Sequence, residues 1–317
     1  MRKYYLPILL LILVWLAIVA TNIVPGTWFT GWDNLHPELN FALNFKRALF
    51  GLWQEHQGLG HIGGHGYAAT LPHTIITWLL SLTFPINQVR ITFIFLALLS
   101  GALGCYSLIV HLLKEKTAKF TEWIALIGSL FYLLNYGTVQ QFYTPLEAFI
   151  VHFATLPWLL FISLRLIHQW TKREFVLFLL VSFISTTQGF IPPLFIAYSL
   201  TLGLILLFGL LLQRTWTITK RVLLITFATI CINAYWILPV AHFTLTAQNT
   251  YLNANNNILS TQSWIETNQT YGSIKNLSIL RGFLSQAVDD VEGTQSPIFA
   301  PWEDHLKGIP IQIIGYA

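Results

Sequence analysis

Apolar residues run together at 6–24, 91–113, 123–134, 148–167, 175–185, 191–212 and 222–242, and short polar segments separate the runs. A helix rises ~1.5 Å per residue, so ~20 apolar residues are needed to cross the ~30 Å hydrocarbon core of a bilayer. The pattern therefore predicts seven membrane-crossing helices. Two of the runs, 123–134 and 175–185, are short, and snorkelling Lys and Arg together with interfacial residues complete them. An eighth stretch, 68–84, carries Pro72 and His73 and reads either as a crossing or as a helix lying at the surface.

Charge chooses between these readings. If 68–84 does not cross, the cytoplasmic side holds Arg2, Lys3, Lys114, Lys116, Lys119, Arg165, Lys172, Arg173, Arg214, Lys220 and Arg221, which are 11 of the 17 basic residues. If it does cross, only Arg2, Lys3, Arg90, Lys275, Arg281 and Lys307 remain inside, 6 of 17, against the positive-inside rule. The expected architecture is all-α integral membrane, with about seven transmembrane helices and a cytoplasmic amino terminus. Residues 25–90 then form the first outer loop, 1–243 the membrane module and 244–317 an extracytoplasmic tail or cap.

Composition agrees. At 55% hydrophobic and 9% charged residues, with mean hydropathy +0.61, the chain is too apolar for a water-soluble domain of this length. Its net charge of +4 is spread over short loops, so it speaks to orientation and not to nucleic acid. The run at 6–24 is long enough to span and no small-x-small cleavage site follows it, which makes it a retained anchor. Cys105 and Cys231 lie in separate apolar runs and read as buried, inert thiols. The chain stops at Ile314-Gly-Tyr-Ala317 with neither a polar ending nor a closing crossing, and the expectation is a fragment or a minimal module.

The same topology places Glu115, Glu122 and Glu174 inside, and Asp33, Glu38, Glu55, Glu147 and six tail acids outside. Chemistry is therefore expected on the outer face. In the first loop His36-Pro37-Glu38 reads as a helix start, with Phe41, Phe45, Ala48, Leu49 and Leu52 on one face of the helix that follows. A glycine-rich linker and a second surface helix from about Leu71 to Phe84 complete the loop. His56, His61 and His65 in that linker are metal ligands or plain loop residues, and glycine spacing gives them no fixed geometry.

Asp33 has two open readings, a capping acid and a general base whose basicity rises by partial desolvation beside the membrane. Trp28, Phe29, Trp32 and Trp53 are an interfacial belt or a platform for a sugar ring. Glu147 begins a crossing inside a stretch without other charges, 137–164. It is an interfacial helix-start acid, a partner for Arg90 or a ligand for hydroxyls. In the tail, Asp289, Asp290 and Glu292 are either a solvated acidic loop or oxygen ligands for Ca or Mg.

Five local motifs then occur in order: Asp33 with Pro37; Gly64-His-Gly-Tyr67 with Pro72; Asn87-Gln-Val-Arg90; Thr144-Pro-Leu-Glu147 followed by Leu156-Pro-Trp158; and Ala234-Tyr-Trp-Ile-Leu-Pro239 with Leu280-Arg-Gly282. Together with one crossing, an acid-bearing loop and six further crossings, they resemble the GT-C glycosyltransferases. The likeness is strongest to the membrane region of mycobacterial-type arabinofuranosyltransferases. The first loop differs in its shorter, histidine-bearing linker, and the carboxyl-terminal soluble modules of those large enzymes are absent here.

The resemblance implies a cell-envelope enzyme of the prokaryotic plasma membrane that moves a sugar, arabinofuranose by this likeness, from a polyprenyl-phosphate donor to a glycan or lipid acceptor. Asp33 would deprotonate the acceptor, with inversion at the anomeric carbon and departure of polyprenyl phosphate. Glu147, Arg90, Arg281, Lys275, Glu38 and His36 would contact the substrates, the cations facing the leaving phosphate. Arg90 also reads as a snorkelling anchor and Arg281 as a solvated surface charge. A transporter or lipid flippase would instead bury polar groups within several crossings or break paired helices, and the runs show few of either. A membrane scaffold predicts nothing specific about Asp33.

Overall fold

A computed structural model describes residues 5–30, 35–51, 53–54, 60–62, 66–113, 120–143, 145–252, 266, 269, 271–282, 285, 287–291 and 293–310. It is 81% helical. The helices are α1 (Tyr5–Asn22), α2 (Phe41–Leu49), α3 (Leu71–Ser81), α4 (Ile86–Leu113), α5 (Thr121–Leu134), α6 (Tyr136–Tyr143), α7 (Glu147–His168), α8 (Lys172–Ser185), α9 (Pro192–Gln213), α10 (Trp216–Leu252), α11 (Ile274–Ser278) and α12 (Ala300–Leu306). Among the described residues the only strands form two short antiparallel hairpins, Trp53–Gln54 with His61–Ile62 and Val288–Val291 with Thr294–Pro297.

Among the described residues five helices are long and apolar enough to cross a membrane: α1, α4, α7, α9 and the Trp216–Thr246 part of α10. The chain is an all-α, multi-pass membrane protein. The two short apolar runs are helical as well, in α5 and α8, but at 14 residues each they rise only ~21 Å. Stretch 68–84 forms an 11-residue helix, α3, preceded by a 3-10 turn at Tyr67–Thr70. Its ~16 Å rise is about half the hydrocarbon thickness.

Local sequence explains the ends of these helices. Thr171 caps α8 by accepting the Glu174 N–H at 3.1 Å, and Pro192-Pro193 open α9, where a missing N–H costs nothing. The α9 helix stops at Arg214, whose φ of 33° is left-handed.

Packing divides the chain into two units, 1–132 with 145–248, and 133–144 with 249–317. In the first unit α4 lies close along α7. Gly101 sits directly against Phe153 and Gly104 against Trp158, and these small residues let the two backbones approach. A hydrogen bond across the same seam runs from Trp158 Nε1 to the Ser100 carbonyl at 2.9 Å, and α5 joins α7 through Tyr132 Oη, which donates to the Phe153 carbonyl at 2.9 Å. Leu159, Leu166, Phe178, Tyr198, Leu202 and Ile225 form the core that α7 shares with α8, α9 and α10. Cys105 is partly buried, but Cys231 is exposed on α10, so the expectation of two buried thiols holds for neither in full. The reason is helical phase: an apolar helix bathed in lipid needs no polar outer face, so hydrophobicity does not report which side faces inward.

In the second unit Tyr136 is fully buried between Phe299 and Trp302, and its hydroxyl donates to Glu303 at 3.1 Å. Gln140 bridges the 280–282 segment, donating to the Leu280 carbonyl at 3.0 Å and accepting the Gly282 N–H at 3.2 Å. That grip holds Leu280 in the left-handed region, φ 54°, which side chains normally avoid.

A candidate site where the first loop meets α3, α4 and α7

The helix-start signal at His36-Pro37-Glu38 marks a separate 3-10 turn, Pro37–Leu39. The helix itself begins one turn later, where Asn40 accepts the Leu43 N–H at 3.0 Å and caps α2. Proline and an acid favour either kind of turn, and only Asn40 offers a side chain that reaches the right backbone donor. The displacement matters for Glu38. It faces inward, 5% exposed, instead of decorating a surface helix, and its carboxylate pairs with His36 Nδ1 at 2.8 Å.

Two helix beginnings supply the opposite charges. Arg90 lies in the second turn of α4 and Glu147 opens α7; both are 3% exposed, and their side chains meet at 2.6 Å. An arginine carries five donors in a planar fork and a carboxylate about four acceptor sites, so neither is exhausted by one contact. Part of the surplus goes to main chain, while Arg90 Nε is buried without a partner among the described residues. Glu147 accepts the Leu35 N–H at 3.1 Å, Arg90 Nη1 donates to the Leu35 carbonyl at 3.1 Å, and Arg90 Nη2 donates to the Pro145 carbonyl at 2.8 Å. Leu35 is thus held at both its donor and its acceptor. Glu38 lies near enough to interact electrostatically with both members of the pair.

His73 of α3 completes the cluster. It is 2% exposed, its ring meets Phe93 edge-on at 4.8 Å, and its Nδ1 has no partner. Burial, reinforced by the positive charge of Arg90, pushes its pKa down to about 3, so it is neutral at ordinary pH. A histidine depressed this way stabilises the fold fully above its unfolded value of 6.5. Stability then falls as pH drops from 6.5 toward 3, because the unfolded chain binds the proton first. The expected acid limb has a slope of about 1.4 kcal/mol per pH unit from this group. His73→Leu should flatten it in thermal melts taken in detergent between those two pH values, and an unchanged slope would show that other groups set it.

Beside the cluster runs an apolar groove of about 290 Å³ between α3, α4, α7 and α8. Phe93, which touches His73, is one of its walls; Ile76, Val151, Trp158 and Ile184 are others, and Ser100 and Thr155 are its few polar ones.

Of the predicted site residues, His36, Glu38, Arg90 and Glu147 come together, while Asp33 lies outside the described residues. Arg281 and Lys275 belong to the second unit. Arg281 is not the solvated charge that its polar surroundings suggest: its Nε donates to Glu303 at 2.9 Å and its guanidinium lies 5.6 Å from the Tyr271 ring. Lys275 is exposed on α11. Trp28 and Trp53 are also exposed, and Trp32 lies outside the described residues. For a metal, no group of three His, Cys, Asp or Glu converges among the described residues. Asp289 is exposed and accepts a long hydrogen bond from Tyr143 at 3.5 Å, and the two together push the Tyr143 hydroxyl up, burial first and the Asp289 charge second. His56 and His65, and the side chains of His61, Asp290 and Glu292, lie outside the described residues.

A second polar cluster escaped the sequence reading. Between α8 and α9 the segment Thr186–Phe190 forms a buried 3-10 turn, in which Gln188 Oε1 meets His152 Nδ1 at 2.7 Å and Thr186 Oγ1 meets the Tyr235 hydroxyl at 2.7 Å. Gly189 fits against the face of Trp236, whose Nε1 donates to Asn233 at 2.8 Å. Gly66, in the first loop, approaches the Gly189 carbonyl so closely that a Cβ there would stand 2.5 Å from the oxygen. The signal was available in Thr186-Thr-Gln-Gly189 ahead of Pro192-Pro193, a polar break between two apolar runs.

No family model, curated protein or solved structure matches the chain.

Proposed function

We propose that the protein is a membrane glycosyltransferase of the GT-C type, acting on the extracytoplasmic face with a polyprenyl-phosphate sugar as donor and a cell-envelope glycan or lipid as acceptor. One observation carries the reading. The first loop, immediately after Asp33, is fixed at Leu35 to a buried Arg–Glu pair, and a groove suited to an apolar chain lies alongside. Such an arrangement suits a substrate with an isoprenoid tail and a polar head, because the tail stays in an apolar environment while the reacting carbon reaches a polar loop.

In this proposal seven helices cross, α5 and α8 being completed by their flanks, and α2 and α3 lie against the membrane at the outer side. Asp33 takes the acceptor proton as the hydroxyl oxygen attacks the anomeric carbon, and the bond to the phosphate oxygen breaks as the phosphate leaves. His36 and Glu38 follow in the same loop and face the acceptor. Arabinofuranose is the sugar suggested by the ordered motifs, and a divalent Ca or Mg ion in the outer loops is an optional partner to test by chelation.

The test is transfer of labelled sugar from a polyprenyl-phosphate donor by the purified protein in detergent or vesicles. General-base removal costs ~10²–10⁴-fold in rate, so Asp33→Asn should fall by about that factor while binding donor as before. Equal rates for the two proteins would remove Asp33 from the mechanism. A second reading, a transporter or lipid flippase, draws support from the buried polar cluster around Gln188, His152 and Asn233. It predicts movement of a labelled lipid across vesicles without sugar transfer, undisturbed by Asp33→Asn.

A further inference from the structure

Arg90 and Glu147 were expected to touch substrate, yet both Nη atoms of Arg90 and the Glu147 carboxylate are engaged elsewhere, and the remaining Arg90 Nε is buried without a partner among the described residues. The guanidinium is divided among Glu147, the Leu35 carbonyl and the Pro145 carbonyl, and the carboxylate between Arg90 and the Leu35 N–H. Both side chains are nearly inaccessible. A buried ion pair is a poor means of adding stability, since well-packed apolar residues of similar volume commonly serve as well or better. What apolar residues cannot do is hold a loop by its backbone. Three of the pair's hydrogen bonds go to main chain outside any helix, and two converge on the single residue Leu35, next to the His36–Glu38 pair.

We infer that Arg90 and Glu147 are positioning residues: together they fix the Leu35–Glu38 segment against the ends of α4 and α7, and they make no contact with substrate. The inference rests on the proposed glycosyltransferase reading only where transfer is measured; the placement of the segment is open to test by itself. An ion pair that merely stabilised the fold would lose stability and activity together, whereas a positioning pair can lose the segment's order while the fold survives.

The paired replacement Arg90→Met with Glu147→Leu separates these cases, because it removes both charges and all three backbone hydrogen bonds at nearly constant volume. The expected result has three parts: a thermal midpoint in detergent close to wild type, hydrogen–deuterium exchange in the 35–38 segment at least tenfold faster with the interiors of α4 and α7 unchanged, and transfer reduced about 100-fold through kcat with KM for donor retained. Wild-type exchange in that segment, or full transfer by the paired variant, would overturn the inference, as would a large rise in KM with kcat unchanged, which marks a substrate contact. Should the paired variant fail to fold, Arg90→Lys keeps the charge but loses the fork that reaches two carbonyls at once; faster exchange confined to 35–38 is again required of it. If wild type transfers no sugar, the enzyme proposal fails while the exchange measurement still decides whether the pair orders the loop.

Discussion

Arg90→Ala lowers the stability of the protein by about 3–5 kcal/mol, the loss expected when one member of a buried ion pair is removed and the other stays behind. Glu147 would then keep one hydrogen bond, from the Leu35 N–H, to offset the burial of its charge, and the Leu35 and Pro145 carbonyls would lose their donor. Glu147→Leu should cost less. The abandoned guanidinium still donates to two carbonyls, and hydrogen bonds to a charged donor are worth ~1.5–3 kcal/mol each. Replacing both should cost less than either alone, giving a strongly non-additive cycle. Denaturant or thermal unfolding of the four proteins in one detergent measures this directly. Additive losses would mean that the two side chains do not act as a unit.

Gly101→Ile separates α4 from α7. A Cβ at this position would run into the Phe153 ring and stand 2.8 Å from the Phe153 carbonyl. Overpacking a tight interior typically costs 1–3 kcal/mol, about the scale expected here or more, since backbone on the facing helix obstructs as well as side chain. Phe153→Ala in the same protein should recover only part of the loss, because the ring can be removed and the carbonyl cannot. Full recovery would assign the constraint to the ring alone. The Tyr132–Phe153 stacking at 4.3 Å and the hydrogen bond of Tyr132 to the Phe153 carbonyl should weaken in Gly101→Ile, with a change in near-ultraviolet circular dichroism.

These two expectations concern features of very different visibility in sequence. Glu147 stood out because an acid at the start of an apolar run is costly unless something compensates it, and Arg90 was one of the partners weighed for it. Their pairing was among the open readings. That both would grip Leu35 was not, because backbone groups look alike at every position of a sequence. Gly101 and Gly104 gave no warning, since glycine is common in membrane helices and its role depends on which residue of another helix faces it. His73 sat in a stretch whose very topology was in question, and its burial follows from α3 packing beside α4, where Phe93 meets it. Gln188 was missed for a simpler reason: a single amide carries no charge, so a reading organised around charged residues passes over it.

Sequence by itself determined the solvent. Runs of ~20 apolar residues can satisfy their backbone only as helices in a bilayer, and this consequence of hydrogen bonding needs no tertiary information. Caps act over three or four residues, so punctuation such as Thr171 and Pro192 is written locally, although the start of α2 lies at Asn40 and not at the His36-Pro37-Glu38 signal. Tertiary structure alone decided which helix faces are inside, since a lipid-facing leucine and a core leucine are the same residue in two similarly apolar surroundings. It alone drew Leu133–Thr144 into a unit with the tail, through contacts such as Gln140 with Leu280 that span 140 positions. And it alone turned four scattered polar residues, His36, Glu38, Arg90 and Glu147, into one buried cluster. Electrostatic pairing depends on distance in space, and the chain reveals only distance along itself.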